Sequence, residues 1–182
     1  MKWISYCGSR CGVITQNSNG PCPLISIINC LSLRGKMKLP PGCEMISAEQ
    51  LLEYLADLLI NMQPDSSSQE QDFRHNMNDA ISLLPKLQTG LDVNVRFTGV
   101  TEFEYTSDCI IFDLVSIGLY HGWLVDPQLQ DSVLALGNMT YNQVVEFIIT
   151  GRTSSDPLTV SKVIIFNNNY YSTYKQSYCR LF

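Results

Sequence analysis

The stretch Gln16–Leu24, with the sequence QNSNGPCPL, is the feature that most constrains the fold of this chain. Its Asn, Ser, Gly and Pro residues are typical of a turn, and the residues Leu24–Leu31 that follow are mostly apolar. This order predicts a turn that leads directly into a buried helix, with Cys22 at the helix start. We expect the helix to end near Gly35, because glycine is a common residue after the last turn.

Cys22 is a candidate nucleophile because of this position. The N–H groups of a first helical turn and the positive end of the helix dipole favour a thiolate over a thiol. The thiolate is the form of cysteine that attacks electrophiles. Gln16 lies six residues upstream, and a side-chain amide beside such a cysteine is a plausible oxyanion hole. The pattern indicates a cysteine hydrolase, which normally also needs a base.

The two histidines of the chain are the first candidates for that base. His75 lies in a polar helix start, and we interpret it as a surface residue. His121 lies in an aromatic, turn-rich segment beside Trp123, where a hydrogen-bonded structural histidine is favoured over a base. Asp113 and Asp126 stand alone in the sequence, and we interpret them as caps or surface groups. The sequence alone identifies no base.

The overall composition excludes several functional classes. The chain has 182 residues, enough for one domain with a core, and its net charge of −5 argues against a nucleic-acid-binding protein. No apolar run approaches the roughly 20 residues of a membrane span, and no signal peptide is evident. Seven cysteines cannot all pair within the chain, which favours reduced thiols and a cytoplasmic location, with the nucleus as an additional one. No cofactor motif is present and no strong metal-ligand spacing, so we expect neither.

Local patterns predict the elements of one α+β domain. A short strand and a turn are expected in residues 1–15. Ser47–Gln50 is a capping box that opens an amphipathic helix. A second amphipathic helix stops near Pro85, and residues 105–117 are expected to hold a short helix. Further along the chain, the patterns predict a strand at Leu91–Phe97 and two more strands at Val160–Phe166 and Tyr170–Tyr174. Thr140–Gln143 is a second capping box, whose helix is expected to end at Gly151.

Four blocks of this sequence resemble the MINDY deubiquitinases. They are Thr15–Leu24, Leu84–Gly99, Tyr120–Gln128 and the pair Ser172-Thr173 after an Asn-rich turn. The resemblance runs with few interruptions from about Lys2 to about Asp156 and is broken beyond it. It implies that residues 1–182 form a single, incomplete catalytic domain with a papain-like cysteine peptidase fold, in which helices pack on a small, mostly antiparallel sheet.

The resemblance also implies a function. The family removes ubiquitin and prefers chains joined through lysine forty-eight of ubiquitin, so ubiquitin and such chains are the expected partners. By matched position, Cys22 is the nucleophile and Gln16 the oxyanion-hole donor. The residues expected to face ubiquitin are apolar or aromatic, as suits a partner with an apolar docking patch: Val93, Trp123, Tyr141 and Phe166.

Two departures from the family leave alternatives open. The position of the family's catalytic histidine holds Tyr170, and a phenol, which titrates at roughly 10, is no ready base at neutral pH. The family also has a longer stretch before this position, and it continues beyond Phe182 with further strand and a ubiquitin-interacting tail. The chain is therefore interpreted as apparently truncated, either as a degenerate paralogue or as a sequence that lacks exons. Three functions are open: an active or formerly active thiol deubiquitinase, a pseudoenzyme that binds ubiquitin chains without cutting them, and a non-enzymatic structural module in which Cys22 is only a buried helix residue. The completeness of the Gln16–Cys22 stretch argues against the third.

Overall fold

A computed structural model describes residues 1–16, 21–63 and 70–153 of the chain. The described part begins with an antiparallel hairpin of β1 (Lys2–Tyr6) and β2 (Ser9–Val13), with Lys2 opposite Val13 and Tyr6 opposite Ser9. Cys7 and Gly8 form the turn with φ values of 49° and 76°. Two consecutive positive φ angles give the turn the twist that a two-residue hairpin needs. The strand and turn predicted for the first 15 residues are confirmed, and a second strand, which was not predicted, completes the hairpin.

The helix predicted after the turn is α1, at Cys22–Leu33. Its buried face repeats at helical spacing and consists of Leu24, Ile27, Ile28 and Leu31, each at most 1% exposed. The helix ends as expected, since Arg34 donates its N–H to the carbonyl of Cys30 and Gly35 has a φ of 70°. This apolar face places α1 in the core, while its first residue stays exposed.

Two amphipathic helices cover the core of the same compact unit, which comprises Met1–Asp92 and Ser107–Gly118. The first, α2 (Ala48–Ile60), opens with the predicted capping box: Gln50 donates its N–H to Ser47 Oγ, and Ser47 donates its N–H to Gln50 Oε1. The second, α3 (Glu70–Leu83), runs into a 3-10 helix at Leu84–Gln88. Both predicted helices are confirmed.

A buried carboxylate joins the last elements of this unit. A 3-10 helix (Ser107–Cys109) leads into α4 (Ile110–Leu114). The short helix predicted for residues 105–117 is therefore confirmed. Asp108 is only 2% exposed and pairs with Lys86 Nζ, and it also accepts a hydrogen bond from the backbone N–H of Asp92 at 2.6 Å. A buried charge with both an ionic partner and a backbone donor is satisfied in place.

The second compact unit comprises Val93–Thr106 and, among described residues, 119–153. It holds a short antiparallel pair, β3 (Asn94–Val95) with β4 (Phe103–Glu104), and an isolated bridge between Arg96 and Thr140. Its helices are α5 (Gln130–Leu136), which we did not predict, and α6 (Tyr141–Thr153). The capping box of α6 is confirmed by bonds in both directions between Thr140 and Gln143. The helix continues two residues past the predicted end at Gly151.

The predicted strand Leu91–Phe97 is wrong over most of its length, because only Asn94 and Val95 form a strand. Its alternation of apolar residues predicted a buried apolar face. Instead the buried residue is Asn94, at 4% exposed, while the apolar positions around it are half-buried. Hydrogen bonds of the Asn94 amide to more distant residues override the local pattern.

The described residues therefore form an α+β structure of helices and small antiparallel sheets, as predicted. Among them, no helix combines the length and apolarity needed to cross a membrane. The strands predicted at Val160–Phe166 and Tyr170–Tyr174 lie outside the described residues. The single domain and the papain-like fold stay predictions.

Candidate active site

The start of α1 has no side-chain cap. Pro21 is the N-cap residue with φ −73° and ψ 78°, and it can offer no side-chain acceptor; Pro23, at the second helical position, has no N–H. The first hydrogen bond of the helix runs from Ile25 N–H to the Pro21 carbonyl at 3.0 Å. The backbone amides of Cys22 and Leu24 belong to the first turn, whose N–H groups point out of the helix end. Cys22 is the first residue of the helix, so it lies at the end that carries these N–H groups.

The side chain of Gln16 reaches this same helix end. Its Nε2 lies 3.2 Å from Cys22 Sγ, within the range of an N–H donor on sulfur, and both side chains are exposed. The structure therefore brings the two predicted site residues together. A carbonyl carbon attacked by this sulfur would have its oxygen within reach of the Gln16 amide, which is the arrangement that an oxyanion hole requires.

The segment that carries Gln16 is fastened to α1. Ser32 Oγ donates to the carbonyl of Gly12 at 2.8 Å. Asn29 makes two hydrogen bonds to the backbone of Ile14, accepting from its N–H at 2.8 Å and donating to its carbonyl at 3.0 Å. Neither Asn29 nor Ser32 stood out in the sequence, because an isolated polar residue in an apolar helix has several ordinary explanations.

His121 has both ring nitrogens bonded to backbone. The N–H of Trp123 donates to Nδ1 at 3.2 Å, so Nδ1 carries no proton, and Nε2 then donates its proton to the carbonyl of Glu102 at 3.1 Å. The ring also packs edge-on against Phe103, with centroids 5.0 Å apart. This environment fits the structural histidine favoured from the sequence.

The other histidine lies on the surface of α3. The side chain of His75 is 77% exposed, and Nε2 lies 3.6 Å from a carboxylate oxygen of Asp79 one turn further along the helix. The two aspartates interpreted as caps or surface groups are exposed as well, and Asp126 accepts a hydrogen bond from the N–H of Gln128 at 2.9 Å, as a turn-capping aspartate does. Tyr170 lies outside the described residues.

Two of the residues expected to face ubiquitin contact each other. The rings of Trp123 and Tyr141 pack edge-to-face, with centroids 5.2 Å apart and planes inclined by 67°. Both are half-buried, so each ring keeps an accessible part, and Val93 is half-buried too. Phe166 lies outside the described residues. The aromatic pair therefore forms a partly exposed surface.

A polar network that sequence reasoning missed supports this pair. Asn94 Nδ2 donates to Thr140 Oγ1 at 3.0 Å and to a carboxylate oxygen of Glu104. Asn94 Oδ1 accepts the N–H of Asn142, in the first turn of α6, at 3.1 Å. Tyr141 is the first residue of α6, so Asn94 fixes the helix end that carries Tyr141. The only sequence signal was an asparagine inside an apolar alternation.

No group of three or more potential metal ligands occurs in the described ranges 1–16, 21–63 and 70–153. The six cysteines within those ranges form no disulfide bond with one another. At the start of α1 the structure brings together a thiol, Cys22, and an amide donor, Gln16.

A family model described as MINDY deubiquitinase matches residues 1–176. The chain belongs to the MINDY deubiquitinase family. Among its relatives, the ubiquitin carboxyl-terminal hydrolase MINDY-2 of Mus musculus is 53% identical over 93% of this chain and 29% of its own length. MINDY-2 of Homo sapiens is 53% identical over 93% of this chain and 28% of its own length. MINDY-1 of Mus musculus is 52% identical over 91% of this chain and 36% of its own length.

The family predicted from the four blocks of sequence is thus confirmed. The chain spans between 28% and 36% of the length of these relatives. These relatives are named ubiquitin carboxyl-terminal hydrolases.

Proposed function

We propose that this chain is a thiol-dependent deubiquitinase of papain-like fold that hydrolyses isopeptide bonds in lysine-forty-eight-linked polyubiquitin. The observation that carries the proposal is the 3.2 Å contact between Gln16 Nε2 and Cys22 Sγ at the first residue of a buried helix. Membership of a family of ubiquitin hydrolases supports ubiquitin as the substrate. The preference for one linkage rests on the resemblance alone.

In the proposed reaction, the thiolate of Cys22 attacks the carbonyl carbon of the isopeptide bond. The carbon–sulfur bond forms while the carbonyl π electrons move to oxygen, and the Gln16 amide and the helix-end N–H groups donate hydrogen bonds to that oxyanion. The carbonyl double bond then re-forms as the carbon–nitrogen bond breaks, and the leaving lysine nitrogen takes a proton from water. Water hydrolyses the remaining thioester and returns the thiol and a free ubiquitin carboxylate.

The aromatic pair Trp123 and Tyr141, with Val93 and Phe166, is proposed to contact ubiquitin. Large rings held in one orientation lose little conformational entropy when a partner binds, which is why such residues dominate the energetics of interfaces. The edge-to-face packing of Trp123 on Tyr141 supplies that rigidity. The same proposal places this binding in the cytoplasm, with the nucleus as an additional location.

A second candidate function is a pseudoenzyme that binds ubiquitin chains without cutting them. His121 uses both ring nitrogens for backbone bonds, and His75 is exposed on α3 beside Asp79. Tyr170 stands at the position where the family resemblance expects a histidine. Loss of a general base costs about 10²–10⁴-fold in rate, which would leave binding as the main activity.

Ubiquitin with an electrophilic C-terminus separates the two functions. We expect it to label the protein covalently, to label Cys22→Ala not at all, and to label Cys30→Ala as it does the unchanged protein. Cys30 is the matched control because it lies on the same helix away from the start. Binding of lysine-forty-eight-linked tetraubiquitin without labelling would establish the pseudoenzyme. Absence of both labelling and binding would refute the ubiquitin proposal.

A further inference from the structure

The segment before Gln16 runs alongside α1 in the opposite direction. Gly12 of this segment is hydrogen-bonded to Ser32 of the helix, and Ile14, two residues later in the segment, is hydrogen-bonded to Asn29. Asn29 lies three residues before Ser32 in the helix. Each step forward along the segment is therefore a step back toward the start of α1. The next residues of the segment approach Cys22.

The reach of Gln16 follows from the geometry of the two elements. Asn29 is the seventh residue after Cys22, a distance of about 10 Å along a helix that rises 1.5 Å per residue. Two extended residues carry the chain from Ile14 to Gln16, about 7 Å at 3.3 Å per residue. The remaining ~3–4 Å is within the length of a glutamine side chain whose backbone continues in this direction. Fixing Ile14 against Asn29 thus sets where the Gln16 amide lies.

Burial alone does not hold Gln16 in place. Ile14 is buried, whereas Thr15 and Gln16 are exposed. The Asn29 side chain offers one acceptor and one donor and so binds Ile14 as a neighbouring strand would. Two bonds to one residue restrain the direction of the backbone as well as its position.

We propose that Asn29 is a positioning residue that holds the Gln16 amide beside the sulfur of Cys22 by fixing the backbone of Ile14. The value of this position for catalysis rests on the proposed function, in which Gln16 stabilises the oxyanion. The described side-chain bonds of Asn29 are to Ile14, so in this proposal Asn29 influences Cys22 through the position of Gln16. Its effect must therefore disappear when Gln16 is removed.

Alkylation of Cys22 by iodoacetamide tests this coupling without any need for catalysis. The rate is read from the Cys22 peptide by mass spectrometry, with the Cys43 peptide as an internal reference. A hydrogen bond to sulfur favours the thiolate over the thiol and lowers the nucleophilicity of the thiolate by a smaller factor. Removal of this donor in Gln16→Ala should therefore slow alkylation about threefold. Asn29→Ala should slow it by a similar factor, and the double variant no further.

If the double variant is alkylated about ninefold more slowly than the unchanged protein, the two substitutions act independently and the proposal is overturned. An alkylation rate of Asn29→Ala equal to that of the unchanged protein would also overturn it. Asn29→Leu is the second variant, should Asn29→Ala not fold, because it preserves volume and likewise adds no charge. Ser32→Ala is the matched control: it removes a bond to the same segment further from Gln16. We expect it to lower the melting temperature and leave the alkylation rate unchanged. An equal slowing in Ser32→Ala would refute a specific role for Asn29.

The two proposals fail in different ways. If ubiquitin with an electrophilic C-terminus does not react while the alkylation rates of Gln16 and Asn29 variants remain coupled, the proposed function is refuted and the positioning role is supported. If ubiquitin reacts at Cys22 and the alkylation rates are uncoupled, the positioning role is refuted.

Discussion

Replacing Asn94 with alanine removes the centre of the polar network in the second compact unit. Asn94 is 4% exposed and bonds Thr140, Glu104 and the N–H of Asn142. A neutral hydrogen bond contributes about 1 kcal/mol and one to a carboxylate about 1.5–3 kcal/mol. The expected loss in the free energy of unfolding is therefore about 3–5 kcal/mol. For a chain of this size, the unfolding temperature should fall by about 10 °C.

Urea denaturation followed by circular dichroism measures the loss of stability. Asn142→Ala is the matched control, because the Asn142 side chain is exposed and only its backbone N–H, which alanine retains, binds Asn94. That variant should stay within about 0.5 kcal/mol of the unchanged protein. Hydrogen exchange should also show faster opening of the first turn of α6 in Asn94→Ala. Equal stability of the two variants would refute the structural role assigned to Asn94.

Three further predictions address the site and the core. Gln16→Ala should lower kcat for tetraubiquitin cleavage by about 10²–10³-fold, as loss of one oxyanion donor does; an unchanged kcat would exclude Gln16 from the reaction. Trp123→Ala should weaken binding of lysine-forty-eight-linked chains by about 30-fold or more in titrations, whereas Ile60→Ala, which alters an exposed apolar residue on α2, should not. Asp108→Asn should cost about 1–3 kcal/mol in urea denaturation, because Lys86 loses its buried partner; stability equal to that of the unchanged protein would contradict this.

Features specified by neighbouring residues were predictable from the sequence. The capping boxes at Ser47 and Thr140 form because each cap and its partner are three residues apart. The start of α1 follows from a turn and an apolar run that adjoin in sequence. Gln16 and Cys22 are six residues apart, so a single turn can bring them together. At this range, composition and spacing carry enough information to predict the contact.

Features that depend on distant partners were not predictable in the same way. Asn94 binds Thr140, 46 residues away, and Asp108 binds Lys86, 22 residues away. The alternation at Leu91–Phe97 favoured an apolar strand face, but a buried amide with three distant partners determines the local structure instead. The base of a cysteine hydrolase is a problem of the same kind, since it comes from a remote segment of chain.

The residues that position the thiol and those proposed to bind ubiquitin belong to different compact units, so substitutions can test the two roles separately. Cys22, Gln16 and Asn29 belong to the unit of Met1–Asp92 and Ser107–Gly118, whereas Trp123 and Tyr141 belong to the other. The bonds that fix Gln16 and those that fix Tyr141 each lie within one unit. Substitutions of Asn29 should therefore change thiol reactivity without changing affinity for ubiquitin chains, and those of Asn94 should do the reverse. A pseudoenzyme needs the residues that bind ubiquitin chains and does not need those that position the Cys22 thiol. Unchanged affinity of Asn29→Ala for ubiquitin chains would show that recognition is independent of the residues around Cys22, and lowered affinity would contradict this separation.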